Sequence, residues 1–181
     1  MGWNVDGIVE SRLLDLHYNE PSETLVGHFQ RDLGHRSVES IYTRRRDDTQ
    51  YRRAFGRDDT ASARTVVCVS KAPIALFNVY VVRDEEPGAG SDWSHIGRID
   101  LSTGAMTVAL DKQSFCAKHG RAWVSTLFSA SEDGATVLCS IPSERPDPAE
   151  EGAVLYDYFL CRLDLATGEF ERITLLRKHF F

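Results

Sequence analysis

Trp123-Val124-Ser125-Thr126-Leu127-Phe128-Ser129-Ala130-Ser131-Glu132-Asp133-Gly134-Ala135-Thr136-Val137-Leu138-Cys139, followed by Leu160-Cys161-Arg162-Leu163-Asp164-Leu165-Ala166-Thr167-Gly168-Glu169-Phe170, decides the fold. Each stretch places short runs of strand-forming residues on either side of a turn closed by glycine. In Leu163-Asp164-Leu165 the two leucines share a face, because side chains alternate along a strand. Gly168 supplies the positive φ that a tight turn requires. Arg162 and Asp164 then fall on the opposite face, where they read as structural charges.

The pattern recurs. Ile99-Asp100-Leu101-Ser102-Thr103-Gly104 matches Leu163 to Gly168, with Arg98 and Arg162 one position upstream. Ser70, ahead of the turn at Lys71-Ala72-Pro73, corresponds to Ser131, and Leu14-Asp15-Leu16 reads as a degenerate third copy of the second hairpin. Runs such as Thr65-Val66-Val67-Cys68-Val69 and Ile74 to Val82 are β-branched and aromatic, which favours strands.

These residues resemble β-propeller blades of the TolB-like and prolyl-peptidase type. Phe128 to Gly134 is similar to the turn that ends an inner blade strand, and Leu163 to Gly168 to the outer-strand turn. The resemblance covers residues 64–176, and 8–29 more faintly. It implies blade architecture without implying an activity, since propellers host many unrelated functions. Peptidases linked to such propellers carry catalysis in a separate hydrolase domain, for which this chain has no room. A closed propeller needs at least ~4 four-stranded blades, whereas the hairpin signals give about ten strands. The expected fold is an all-β antiparallel meander of propeller-like blades, with a β-barrel or sandwich as the alternative.

Residues 30–63 break the pattern. Arg44-Arg45-Arg46-Asp47-Asp48 and Arg52-Arg53 sit among few large apolar residues, and Val38, Ile41 and Tyr42 have helical spacing. This segment is expected to be a long polar loop with a short helix near 38–46.

A length of 181 residues suits one domain, taken as 1–181. The net charge of −6 makes nucleic acid an unlikely principal partner. No apolar run approaches the ~18 residues of a membrane span. The first residues lack the basic start and apolar core of a signal peptide, so a cytoplasmic location is expected. The four cysteines form no Cys-x-x-Cys pair, no His-x-His or His-x-x-x-His spacing occurs, and no phosphate loop or nucleophile elbow is present. Neither a metal nor a cofactor is expected.

Successive connections of a meander alternate between its two ends. The turns at 17–22, 71–73, 102–104, 131–134 and 166–168 are short, and the connections at 30–63, 84–94, 111–121 and 143–153 are long. Binding residues concentrate on long loops held by a rigid scaffold. The long-loop end is therefore expected to carry function, with Arg44, Arg45, Arg46, Arg52, Arg53, Asp92, Trp93 and Arg121 as binding candidates. His95 and His119 are the weaker catalytic candidates, and Cys116 and Lys118 share their loop end. The leading expectation is a self-associating binding module that takes a protein or small-molecule ligand at this end. One alternative is a small enzyme acting on a sugar or peptide through His95 and His119. Another is an anion or nucleic-acid contact through Arg44–Arg53.

Overall fold

The structure, a computed structural model, describes residues 11–32, 37–56, 60–82, 91–150 and 152–176. The first sheet holds β1 (Ser11–Asn19), β2 (Thr24–Asp32), β3 (Ser37–Arg45) and β4 (Arg52–Phe55). The second holds β5 (Ala61–Cys68), β6 (Ile74–Val82), β7 (Ser91–Asp100) and β8 (Met106–Asp111). The third holds β9 (Thr126–Ala130), β10 (Thr136–Pro146), β11 (Val154–Asp164) and β12 (Phe170–Leu175). One helix, α1 (Lys112–His119), links β8 to β9. All three sheets are four-stranded antiparallel meanders in chain order, the unit from which a propeller blade is built. Among the described residues no helix is long and apolar enough to cross a membrane.

Among the described residues twelve strands stand where about ten were expected, because residues 30–63 contain β3 and β4 rather than a long loop with a helix. Val38, Ile41 and Tyr42 are all buried, but on different faces of the sheet. Ile41 packs towards the second sheet with Val66 and Phe77, whereas Tyr42 stacks edge-on against Phe29 at 5.1 Å on the opposite face. Burial on both sides hid the period of two and produced an apparent helical spacing. The repeat also needs one correction. Leu14-Asp15-Leu16 lies in the first strand of its sheet, whereas Ile99 to Leu101 and Leu163 to Leu165 close the third strands of theirs.

The second sheet is the centre of the molecule. Residues 74–80 of β6 are buried without a break, so both faces of this strand are covered. Ala75, Phe77 and Val79 pack with Val26 and Ile41 of the first sheet. Ile74, Leu76 and Tyr80 pack with Leu127, Val137, Cys139 and Leu163 of the third. At Gly97 on β7 a Cβ would stand 2.4 Å from the Phe77 ring, so the glycine is required by the close approach of that ring.

Hydrogen bonds tie the turns of neighbouring sheets together. The buried Asn19 amide donates to Val69 O at 2.8 Å and Ala72 O at 2.9 Å, while its oxygen accepts from Ser22 N and Ser22 Oγ. Replacing Asn19 by alanine strands two carbonyls and is expected to cost about 1–3 kcal/mol, measurable by urea unfolding. Lys71 N donates to Glu132 O, and Lys71 Nζ pairs with Glu132 Oε2. Asp100 and Asp164 are turn residues as read from the sequence. Asp100 Oδ1 accepts from the backbone of Ser102 and Thr103, and Asp164 Oδ1 from the backbone and hydroxyl of Thr167. These bonds hold both carboxyls below their ordinary range, so the acid form is disfavoured in the fold.

Candidate functional site

The connections at the ends of the second and third sheets border a half-open cavity of about 840 Å³. Its second-sheet wall comes from Arg64 on β5, Tyr80 on β6 and Ser91, Asp92 and Trp93 on β7. Lys112 and Cys116 enter from α1, and residues 120–123 with Ser125 pass across the mouth of the third sheet. Glu144, Tyr156 and Tyr158 come from the long β10–β11 hairpin, which pairs over its full length from Thr136↔Asp164 to Pro146↔Val154. β9 covers only residues 137–140 of β10, so the tip of the hairpin extends past its neighbour to form the wall.

The wall is held rigidly. Arg64 Nη2 donates to Ser91 Oγ at 2.5 Å, and its guanidinium lies 4.4 Å above the Tyr80 ring. The Tyr80 hydroxyl donates towards Val124 O at 3.0 Å and Ser125 O at 3.2 Å, which pins the crossing segment to the second sheet. Burial pushes the Tyr80 phenol up to about 12, so it remains a neutral donor at any physiological pH. Trp123 meets Tyr156 edge-on at 5.1 Å. Trp93 is buried, and its indole nitrogen has no hydrogen-bond partner.

The segment expected to be a polar loop at 111–120 contains α1. Asp111 caps it by accepting from Ser114 N at 2.8 Å, and Gly120 ends it with φ at 66°. Phe115 is its one buried residue, fixed against Trp93 at 5.5 Å and Phe170 at 6.0 Å. A helix with a single apolar anchor has no stripe to betray it in the sequence.

Asp92, Trp93 and Arg121 come together in the cavity. The arginine run does not join them. Residues 46–51 form the β3–β4 turn, and the two strands preserve the alternation of ends, so the run lies with the short turns. Arg45 donates to Ser102 O, in the β7–β8 turn, and Arg46 pairs with Glu23 at 3.5 Å in the β1–β2 turn. Arg44 lies 5.3 Å above the Tyr51 ring, Arg53 lies 5.3 Å above Tyr42 and donates to its hydroxyl, and Arg52 faces Asp48 at 3.9 Å.

The two histidines remain apart in their contacts. His95 Nδ1 is 3.0 Å from Ser94 Oγ, and burial lowers its pKa against the opposing pull of Asp111 across the β7–β8 pair. His119 Nε2 donates to Gly168 O at 2.9 Å, with its ring packed on Phe115 and Phe170. Lys118 reaches the same turn at Thr167 O and Glu169. The end of α1 thus meets a connection assigned to the other end of the meander. Among the described residues no group of three or more His, Cys, Asp or Glu is placed to hold a metal ion. The charged and aromatic residues that sequence reading missed are Arg64, Tyr80, Lys112, Trp123, Glu144, Tyr156 and Tyr158. All but Lys112 and Trp123 lie on strands, where aromatic and alternating charged residues read as packing and solvent faces.

No protein-family model and no curated protein matches the chain. Among solved structures it is similar to the β-propeller domain of the trilobed protease from Pyrococcus furiosus, described as having an open velcro topology. Identity is 10% and the TM-score 0.42, over 91% of this chain and 57% of that one, so the chain spans little more than half that structure's length.

Proposed function

We propose that the protein is a binding module whose ligand, a sugar or a short peptide, occupies the cavity between the second and third sheets. The observation that carries this reading is the wall itself. Two tryptophans and three tyrosines share about 840 Å³ with Arg64, Lys112, Arg121, Asp92 and Glu144. Ligand cavities of ~300–1,000 Å³ combine aromatic walls with a few convergent polar groups in this way. The rings of Trp123, Tyr156 and Tyr158, which are at least partly exposed, take the apolar side of a ring or side chain, and side chains of both charge signs stand in the wall to orient hydroxyls, a carboxylate or an amine. His95 is not among the residues lining the cavity, and His119 is committed to Gly168 O. A general acid–base pair built from the two histidines would need both to reach one ligand, so binding is favoured over turnover.

The test is a titration of a panel of short oligosaccharides and tetrapeptides, followed by tryptophan fluorescence. A bound member quenches emission and is recovered chemically unchanged. Trp123→Ala weakens its binding by about tenfold, the loss expected for an aromatic anchor. Conversion of the ligand that His95→Ala or His119→Ala abolishes would replace the binding reading by the enzymatic one.

A further inference from the structure

The three sheets repeat one mode of packing, and among the described residues one face of the first sheet and one face of the third have no sheet against them. His28, Asn78 and Ser140 are each the fifth residue of the second strand of their sheet. His28 Nε2 lies 2.8 Å from Ala63 O of the next sheet and 2.8 Å from Glu39 Oε2, so this nitrogen carries the proton. Asn78 Nδ2 likewise donates to Ser125 O, just ahead of β9, at 3.2 Å. The turn contacts repeat too, from Asn19 to Val69 and from Lys71 to Glu132.

Each second strand therefore has a forward face, towards the next sheet, and a backward face. In β6 the backward residues Ala75, Phe77 and Val79 and the forward residues Ile74, Leu76 and Tyr80 are all buried. Among the described residues no sheet lies against the backward face of the first sheet, where Phe29 and Tyr42 are buried with Leu13 and Tyr51 packed against them and Leu16 and Tyr18 of β1 are left exposed. This face carries Leu25, Gly27 and Phe29 on β2, with Leu16 and Tyr18 beside them on β1 and Tyr42 and Arg44 on β3. Leu16 is 47% exposed and Tyr18 53%. The forward face of the third sheet is the complementary one. It carries Leu138 and Ser140 on β10, with Arg162 and Leu160 opposite them on β11.

Charge selects the partner. Residues 11–56 hold eight arginines against seven carboxylates, and Arg44 and Arg53 lie over aromatic rings of the open first sheet. Residues 126–176 hold three arginines against ten carboxylates. Third sheet against third sheet would double an acidic surface, whereas third against first sets a net charge of −7 (3 − 10) against one of +1 (8 − 7). Three sheets fall short of the ~4–8 blades of a closed propeller. We propose that two copies of this chain join head to tail, the third sheet of each on the first sheet of the other, to close a ring of six blades. Two-fold closure is the commonest symmetry of soluble oligomers and leaves neither face open. Ser140 is then placed like Asn78, to donate to the backbone at the start of the adjoining first sheet.

Light scattering after size exclusion at micromolar concentration tests this. The unaltered protein is expected at twice the 20.3 kDa chain mass. Tyr18→Glu, on the backward face, and Leu138→Glu, on the forward face, are each expected to give monomers with unchanged circular dichroism. Leu160→Glu replaces Leu138→Glu should the latter fail to fold. A monomeric mass for the unaltered chain would overturn the proposal and leave the open faces to a different protein. Dissociation by only one of the two faces would also overturn it, since that is the behaviour of a face-to-face dimer. Retention of the dimer in both variants would do the same.

Discussion

Replacing Phe115 by alanine is expected to lower stability by about 3–5 kcal/mol, the range for deleting a fully buried aromatic ring. Phe115 is 0% exposed and is the single buried residue of α1. Its ring touches Trp93, His119 and Phe170, so it joins the helix to β7 and to the outer strand of the third sheet at once. Without it, the short helix keeps its Asp111 cap but loses its seat. Lys112 and Cys116 leave the cavity wall with it, and Trp93 loses its edge-on partner. Ligand binding is therefore expected to fall together with stability. Phe115→Leu, which keeps most of the apolar volume, should retain the larger part of both. Urea unfolding gives the first quantity, and fluorescence titration of the same samples gives the second.

The second large effect separates the two quantities. Phe77 is 1% exposed, lies 4.9 Å from Phe55 of the first sheet, and fills the space that Gly97 leaves open. Phe77→Ala is expected to cost about 3–5 kcal/mol through the cavity it creates. Gly97→Ala fails for the opposite reason. Its Cβ would meet a ring held on both sides, and overpacking of this kind costs about 1–3 kcal/mol. The residues touch, so the double variant should lose less than the sum of the single losses. Both lie at the junction of the first and second sheets, away from the residues that line the cavity. Under conditions where these variants remain folded, ligand affinity should be unchanged. A parallel loss of affinity in Phe77→Ala would show that the site depends on the first sheet, contrary to its construction here.

The second and third sheets were legible because their strands are β-branched runs separated by glycine-closed turns. Gly104, Gly134 and Gly168 all adopt the positive φ that the turns demand. The first sheet was half legible. Its β3 is buried on two faces, and its β4 spans only Arg52–Phe55, so neither shows clean alternation. The arginines beside them looked like a loop because charge gathers at strand ends around a turn. That single misreading moved Arg44 to Arg53 to the wrong end of the molecule, although the parity of the strands survived it. The site was legible as a place, since Asp92, Trp93 and Arg121 do converge. Its chemistry was not. Tyr80 is separated in sequence from Tyr156 and Tyr158 by four strands and a helix, and only the packing of two sheets brings them together.

The indole ¹H–¹⁵N signals of the protein test the assignment of the site most directly. The chain has three tryptophans, and Trp93 and Trp123 both line the cavity. Each signal can be assigned by a single Trp→Phe replacement. A bound oligosaccharide or peptide is expected to shift both, with the larger change at Trp123, the more exposed of the two. Binding that leaves both signals in place while perturbing the backbone of residues 44–53 would contradict the account and locate recognition at the arginines instead.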